Sequence, residues 1–270
     1  MKALFEKFGS NIRHLKIYDT RYSSIPTLSE NTFNRLKRLS LNEWKNDLSC
    51  IDTRRLTHIE MNLTNQMSCS HSIEQVLNYL SKCENLVHFD LQNDITLTNG
   101  TISEPIVTKL KQIAVNCPNL KSIGFHLRDG FPIQLGAELD LSPLKSFKQL
   151  KRMSLFLAIY NKPLILSKIL TGFESLTHLS LNVTILSFPN AIIKGINAKD
   201  FISIELYLPN LQVLDIRNTF RDKQLLSYVL SRLSKLRVIK IYDFDQNLKN
   251  DWMKICPKLK FLKREVYSSF

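Results

Sequence analysis

The chain has 270 residues, of which 44% are hydrophobic, and it contains 7 Gly and 9 Pro. This composition excludes a collagen-like, low-complexity or largely disordered chain and supplies enough apolar side chains for a continuous core. The 37 basic residues outnumber the 24 acidic ones, and the formal net charge of +13 favours acidic partners. No stretch has the roughly 18 to 20 apolar residues of a membrane span, and the start MKALFEKFG is too charged for a secretory signal. We therefore expect a cytoplasmic or nuclear protein without a membrane partner.

One pattern returns along the chain: an apolar residue, two spacers, Leu, two spacers, an apolar residue, one spacer and another apolar residue. The copy CPNLKSIGF, which starts at Cys117, shows the whole pattern. The first Leu of each copy, or Ile in the first copy, is called its anchor. The anchors are Ile12, Leu36, Leu56, Leu86, Leu120, Leu150, Leu176, Leu211, Leu236 and Leu259. Their mean spacing of about 27 residues is typical of leucine-rich repeats. The pattern predicts a single leucine-rich-repeat domain over residues 1–270, with about ten repeats and an incomplete first and last one.

Shortly after each anchor, apolar and polar residues alternate over five positions, which predicts a short strand. Stacked repeats pair such strands in parallel, so we expect an α/β leucine-rich-repeat solenoid. In this ribonuclease-inhibitor-like arc, the parallel sheet is concave and the convex side is helical or irregular. The predicted strands are His14–Tyr18, Arg38–Asn42, His58–Asn62, His88–Gln92, Ser122–His126, Arg152–Phe156, His178–Asn182, Val213–Arg217 and Val238–Tyr242.

The segments that return from one strand to the next differ in length. The 20-residue interval between Leu36 and Leu56 leaves room for an extended or 3₁₀ return and excludes a full helix. Ser72 and Gln75 have capping-box spacing before an apolar stripe, which predicts that the return segments are full helices from this repeat onward. The predicted helical segments are Lys2–Phe8, Ser72–Cys83, Ser103–Cys117, Pro163–Phe173, Asp200–Leu208, Asp222–Leu233 and Asn247–Ile255.

The five cysteines form no CxxC pair, which argues against a disulfide framework or a zinc site. Cys83, Cys117 and Cys256 each lie three residues before an anchor, where other repeats place Phe or Leu. A position that accepts Cys, Phe or Leu is a buried apolar slot.

Four histidines share the first exposed column of the predicted sheet, namely His14, His58, His88 and His178. One interpretation is a pH-sensitive or metal-binding ladder. The other is a set of half-exposed polar rings, and it is favoured because only His58 and His88 are adjacent and two ligands do not make a metal site. We expect no metal and no cofactor.

The next two columns of the concave face contain an acidic pair beside small uncharged residues. This arrangement predicts a docking surface where the basic side chains of a partner meet carboxylates, with aromatic side chains as anchors. The candidate partner-binding residues are Glu60, Asp90, Gln92, His126, Phe156, Asn182, Arg217 and Tyr242.

Three long repeats place insertions after a strand, at Asn93–Ser103, Leu127–Ser142 and Val183–Lys199. Such insertions emerge on one rim, which is a second candidate binding surface. Their apolar residues predict either packing against the core or an apolar patch for a partner. These residues are Phe131, Ile133, Leu135, Ile185, Phe188, Ile192 and Ile193.

The copies NCPNLKSIGF, KCENLVHFDL and ICPKLKFL resemble the cysteine-containing repeats of F-box/leucine-rich-repeat proteins. The resemblance extends from about Gly9 to Leu262. It implies a repeat arc that selects substrates for ubiquitination, while an N-terminal F-box docks to a cullin-based ligase. The repeats alone carry the resemblance, since no F-box pattern is present. Ubiquitin-ligase subunits are therefore expected partners only if an F-box precedes residue 1.

No GxSxG, HExxH or Gly-rich phosphate loop occurs, so we expect a non-catalytic protein-binding domain similar to the substrate arm of an F-box protein. The Lys and Arg residues lie scattered through the repeat spacers, without interleaved aromatics. They indicate either a solvated face or a basic scaffold that binds nucleic acid or other acidic partners. A leucine-rich-repeat regulator of another enzyme is a further alternative with the same fold.

Overall fold

The structure, a computed structural model, describes residues 7–17, 32–42, 51–62, 73–98, 101–129, 139–160, 169–186, 204–216, 223–240, 250, 253–254 and 260–261. The chain divides into two compact units. Unit 1 comprises Met1–Thr96 and Ile102–His126, and unit 2 comprises Leu97–Thr101 and Leu127–Phe270. The extent of the single repeat domain over residues 1–270 stays a prediction.

Parallel strands form the sheet of each unit. In unit 1 the order is β1-β2-β3-β4-β6, with β5 paired to β4, and in unit 2 it is β7-β8-β9-β10-β11. The pairs β1–β2, β2–β3, β3–β4, β7–β8, β8–β9, β9–β10 and β10–β11 are parallel, and equivalent residues of successive repeats lie side by side. Strand order that follows chain order confirms the predicted α/β leucine-rich-repeat solenoid with its parallel sheet. The strands are β1 (His14–Ile17), β2 (Arg38–Asn42), β3 (His58–Asn62), β4 (His88–Thr98), β5 (Thr101–Ile102), β6 (Ser122–Asp129), β7 (Arg152–Tyr160), β8 (His178–Leu186), β9 (Val213–Asp215), β10 (Val238–Lys240) and β11 (Lys260–Phe261).

All nine predicted strands begin at the predicted residue, but four of them are longer than predicted. Strands β4, β6, β7 and β8 continue beyond five residues, so the first residues of the three predicted insertions are strand and not rim loop. The reason is that the alternation of buried apolar side chains continues, as Ile95, Leu97, Leu127 and Val183 show. The insertion residues Phe131, Ile133, Leu135, Phe188, Ile192 and Ile193 lie outside the described residues, as does Tyr18.

A tight turn precedes each anchor and explains the spacing of three residues between the slot and the anchor. The backbone N–H of Leu86 donates to the carbonyl of Cys83 at 2.9 Å, and Leu176 donates to Phe173 at 2.9 Å. The same bond recurs at every described anchor, and all of those from Leu36 to Leu236 are at most 3% exposed. The turn therefore directs both the slot side chain and the anchor into the core.

Between neighbouring repeats, one carbonyl accepts two N–H groups. The carbonyl of Arg13 accepts from Lys37 at 2.7 Å and from Arg38 at 3.1 Å. The carbonyl of Thr57 accepts in the same way from Val87 at 2.8 Å and from His88 at 3.0 Å. Equivalent pairs recur within unit 2 at the carbonyls of the first spacer after the anchor. These two hydrogen bonds to one carbonyl set the register in which the next strand begins.

Cys83 and Cys117 are free, buried thiols in the predicted slot. The Sγ of Cys117 donates to the carbonyl of Cys83 at 3.3 Å. Burial raises the pKa of the Cys117 thiol to about 11, and burial raises the pKa of Cys83 further above its usual value. Both thiols are therefore protonated and unreactive at neutral pH. Cys256 lies outside the described residues.

Helices occupy several of the return segments where they were predicted, whereas the return before β7 includes a 3₁₀ turn over Ser142–Ser146. In unit 1, α1 buries Val76, Leu77 and Leu80 and contacts α2, which follows Ser103 and has Pro105 in its first turn. The short repeat instead has a 3₁₀ turn over Thr53–Arg55, which confirms that prediction. The helices are α1 (Ile73–Leu80), α2 (Glu104–Asn116), α3 (Ile204–Tyr207) and α4 (Lys223–Arg232). Within the described part of the chain, no helix has the length and apolar character needed to cross a membrane.

Replacement of the anchor Leu86 by Ala is expected to lower the free energy of unfolding by about 2 to 5 kcal/mol, because Leu86 is fully buried. The matched control Val115→Ala removes an apolar side chain that is 77% exposed, so we expect a change within about 0.5 kcal/mol. Urea unfolding followed by circular dichroism measures both. Equal effects of the two substitutions would show that the anchors are not the core.

Candidate functional site

The polar side chains between the buried strand residues form one face of the sheet, called the spacer face. In β2 and β3 the two faces separate cleanly: Leu39, Leu41, Ile59 and Met61 are buried, while the intervening side chains are exposed or half-buried. Because the strands are in register, equivalent spacers become columns about 4.8 Å apart. Each column combines residues that are distant in the sequence.

Two carboxylates occupy one column of the spacer face in unit 1. Glu60 pairs in register with Asp90, and Glu60 is exposed while Asp90 is half-buried. The Nε2 of Gln92 donates to Asp90 Oδ2 at 3.3 Å. Neither carboxylate forms a salt bridge with a basic side chain of the described residues. Two like charges on adjacent strands repel each other, so a cation placed between them is bound favourably.

Gly124 provides the room that the Asp90 carboxylate needs. A Cβ added to Gly124 would lie 2.7 Å from Asp90 Cγ, closer than real Cβ atoms approach other atoms. Any larger residue would therefore displace Asp90 from its position over β6. From the sequence, Gly124 is only a small residue beside Asp90 in the column. The structure shows why it is small, since a side chain at this position would meet the Asp90 carboxylate.

His58 and His88 lie side by side next to the acidic pair, with their ring centroids 5.8 Å apart. Burial, then the charge of Arg38, lowers the pKa of His58 below its ordinary value. In unit 2, burial and the charge of Arg152 likewise lower the pKa of His178. The lowered pKa of His58 favours the neutral ring at pH 7, so this ring adds little positive charge beside Glu60.

The histidine rings contact hydroxyl groups. His88 Nδ1 lies 2.8 Å from Ser122 Oγ, a distance that fits a nucleophile and its base. However, His58 contacts Thr57 at 2.9 Å and His178 contacts Thr177 at 2.8 Å in other repeats. Those two contacts join neighbouring residues of one repeat, whereas the His88 contact joins two repeats, and we assign a catalytic role to none of them. Among the described residues, no three His, Cys, Asp or Glu side chains are grouped to hold a metal ion.

Asparagine side chains on the spacer face offer further hydrogen-bond acceptors. Asn42 pairs in register with Asn62, and the buried Oδ1 of Asn42 has no hydrogen-bond partner. In unit 2, Asn182 pairs in register with Phe156 and also has an Oδ1 without a partner. Asn42 is a site residue that the sequence does not predict, because only its burial distinguishes it from other strand asparagines.

The structure brings together three of the predicted site residues, Glu60, Asp90 and Gln92. His126 lies half-buried on β6, two residues after Gly124 and on the same face. Phe156 and Asn182 are neighbours in unit 2. Their role in binding stays a prediction. Arg217 and Tyr242 lie outside the described residues.

The parallel strand order, the turn before each anchor and the buried anchors define this chain as a leucine-rich-repeat protein. No protein-family model and no curated protein matches it. Among solved structures, the crystal structure of a TLR13–ssRNA13 complex matches with 14% identity and a TM-score of 0.46. That match covers 89% of this chain and 35% of the TLR13 chain. A leucine-rich-repeat protein of Leptospira interrogans matches with 15% identity and a TM-score of 0.32, covering 86% of this chain and 62% of that chain. The chain thus spans about a third of the first protein and under two thirds of the second.

Replacement of His58 and His178 by Asn is expected to reduce the loss of stability on acidification. The pKa of each ring is lower in the folded chain than the ordinary 6.5, so the unfolded chain binds protons first. The wild-type free energy of unfolding therefore falls as the pH drops through and below 6.5, and the double variant loses less. Urea unfolding at neutral and acidic pH measures the difference.

The control for this experiment is His14→Asn, which removes an exposed histidine of the same column. We expect its pH dependence to follow the wild type. A double variant with an unchanged pH dependence would exclude the two rings as the cause.

Proposed function

We propose that this chain is a non-catalytic repeat domain that binds a partner protein on the spacer face of unit 1. The observation that supports the proposal is the in-register pair Glu60 and Asp90, which forms no salt bridge with the described basic residues. A partially exposed pair of carboxylates on a rigid parallel sheet fits a Lys or Arg side chain of a partner. Such charge-assisted hydrogen bonds are stronger than neutral ones.

The surroundings of the acidic pair favour a donor-rich ligand. The exposed Glu60 and the half-buried Asp90 present carboxylate oxygens, which only accept hydrogen bonds. Arg carries five N–H donors and Lys carries three, and neither carries an acceptor. A basic segment of a partner protein therefore matches this surface better than an acidic one, despite the net charge of +13 of the whole chain.

A finer form of the proposal is that the bound protein is a substrate for ubiquitination. The resemblance of the repeats to those of F-box proteins supports it. This form needs an F-box encoded upstream of Met1, because the F-box is the segment that docks to the ligase in that family. The upstream coding sequence tests it first, and co-purification of cullin-based ligase subunits with the native product tests it second.

The double substitution Glu60→Gln and Asp90→Asn is expected to weaken partner binding about tenfold or more. Each carboxylate contributes a charged hydrogen bond of about 1.5 to 3 kcal/mol, while the amide replacements keep its shape. Capture of proteins from a cell extract by the immobilised chain, followed by quantitative mass spectrometry, identifies what the wild type binds. An array of Lys- and Arg-bearing peptides from those proteins then gives the affinities.

The matched control is Glu74→Gln with Glu84→Gln, which removes two exposed carboxylates of unit 1 that lie off the spacer face. This variant has the same net charge as the site variant. A difference in binding between the two therefore results from the position of the carboxylates and not from the net charge. Equal binding by the site variant and the control would refute the proposed surface.

A further inference from the structure

Five cations in the first three repeats of unit 1 lie at the edge of the sheet from which the strands start. They precede or begin β1, β2 and β3, and all five are exposed. This surface is called the basic edge, and its residues are Arg13, Arg35, Lys37, Arg38 and Arg55.

Backbone bonds between repeats place the basic edge residues side by side. The carbonyl of Arg13 accepts from the N–H groups of both Lys37 and Arg38. Arg35 and Arg55 each precede a buried anchor, Leu36 or Leu56, and so hold equivalent positions one repeat apart. Adjacent parallel strands are about 4.8 Å apart, so the cations form a row along the direction in which the repeats stack.

The carboxylate of Asp52 is bonded to Arg54, which is not part of the row, although its charge also acts on Arg55. Asp52 Oδ1 accepts from Arg54 Nε at 2.9 Å, and Asp52 Oδ2 accepts from Arg54 Nη2 at 3.1 Å. The hydrogen bond from Arg54 lowers the pKa of Asp52, so the carboxylate stays ionised and paired. No side chain of the basic edge forms a hydrogen bond or salt bridge with another described residue.

The sequence of these repeats has a moderate excess of positive charge. Residues 7–62 contain ten Lys and Arg and six Asp and Glu. Within the described ranges 7–17, 32–42 and 51–62 there are eight Lys and Arg and two carboxylates, Asp52 and Glu60. The first-spacer positions of the next two repeats are Thr57 and Val87, so cations at that position are limited to Arg13 and Lys37 in this part of the sheet.

The composition of the row indicates which anion it fits. Four of its five residues are Arg, whose planar guanidinium binds phosphate through two parallel hydrogen bonds. A nucleic-acid strand is a linear series of phosphate charges, which a row of guanidinium groups complements. The rings of His14 and His58 flank Arg38 in register, and such rings stack on unpaired bases in a way that tolerates any base sequence.

We propose that the basic edge binds the phosphate backbone of a single-stranded nucleic acid without selecting its base sequence. The site and its ligand are separate from the protein partner of Glu60 and Asp90. The sequence shows these five residues as scattered spacers, and the stacking of three repeats assembles them.

The experiment measures fluorescence anisotropy of a labelled single-stranded oligonucleotide of mixed sequence with the full chain between about 50 and 200 mM salt. The variant Arg35→Gln with Arg55→Gln is expected to raise the Kd about tenfold at the lower salt. It is also expected to reduce the slope of log K against log salt by about 1.4, because two phosphate contacts are lost. All substituted side chains are exposed, so folding is retained.

The matched control is Lys82→Gln with Lys111→Gln, which removes two exposed positive charges elsewhere in unit 1. A control with wild-type Kd and slope supports the site, whereas a control that matches the site variant overturns it.

Polyglutamate and phosphatidylserine vesicles are the competing polyanions. Equal affinity for either one, with the same sensitivity to Arg35 and Arg55, overturns the assignment to nucleic acid. A strong preference between oligonucleotides of different base sequence overturns backbone recognition.

Discussion

The fold depends on two kinds of backbone hydrogen bond that recur in the described repeats. The turn before each anchor places the slot side chain and the anchor in the core. The carbonyl of the residue after the anchor accepts hydrogen bonds from two N–H groups of the next repeat, and this aligns the start of the next strand. Burial of Leu36, Leu56 and Leu86 at 0% exposure holds this arrangement in place. Because both bonds involve only backbone atoms, spacer side chains can vary without loss of the scaffold.

This freedom of the spacers gives the molecule its candidate binding surfaces. The register that aligns Ile59 with Phe89 in the core also aligns Glu60 with Asp90 on the opposite face. At the strand starts, the same stacking aligns exposed cations. An acceptor-rich face and a basic edge thus occur on one unit, and they suit ligands of opposite charge.

The four strands that are longer than predicted share one physical cause. Strands β4, β6, β7 and β8 continue beyond the repeat motif because apolar residues still alternate there, and buried alternation favours a strand whether or not a motif includes it. The predicted rim of insertions was placed too early for this reason. In the repeat of Thr53–Arg55, the length of the return segment alone predicted correctly that it forms no full helix.

The sequence by itself determined the repeat class, the start of every predicted strand and the buried slot of Cys83 and Cys117, because these follow from the spacing of apolar residues along one chain. It also identified Glu60 and Asp90 as column neighbours, since the anchors define the register. Only the tertiary structure decided the space above Gly124, the buried oxygen of Asn42 that has no hydrogen-bond partner, and the pairing of Asp52 with Arg54. These properties depend on distances between side chains, and a pattern of residue types does not contain such distances.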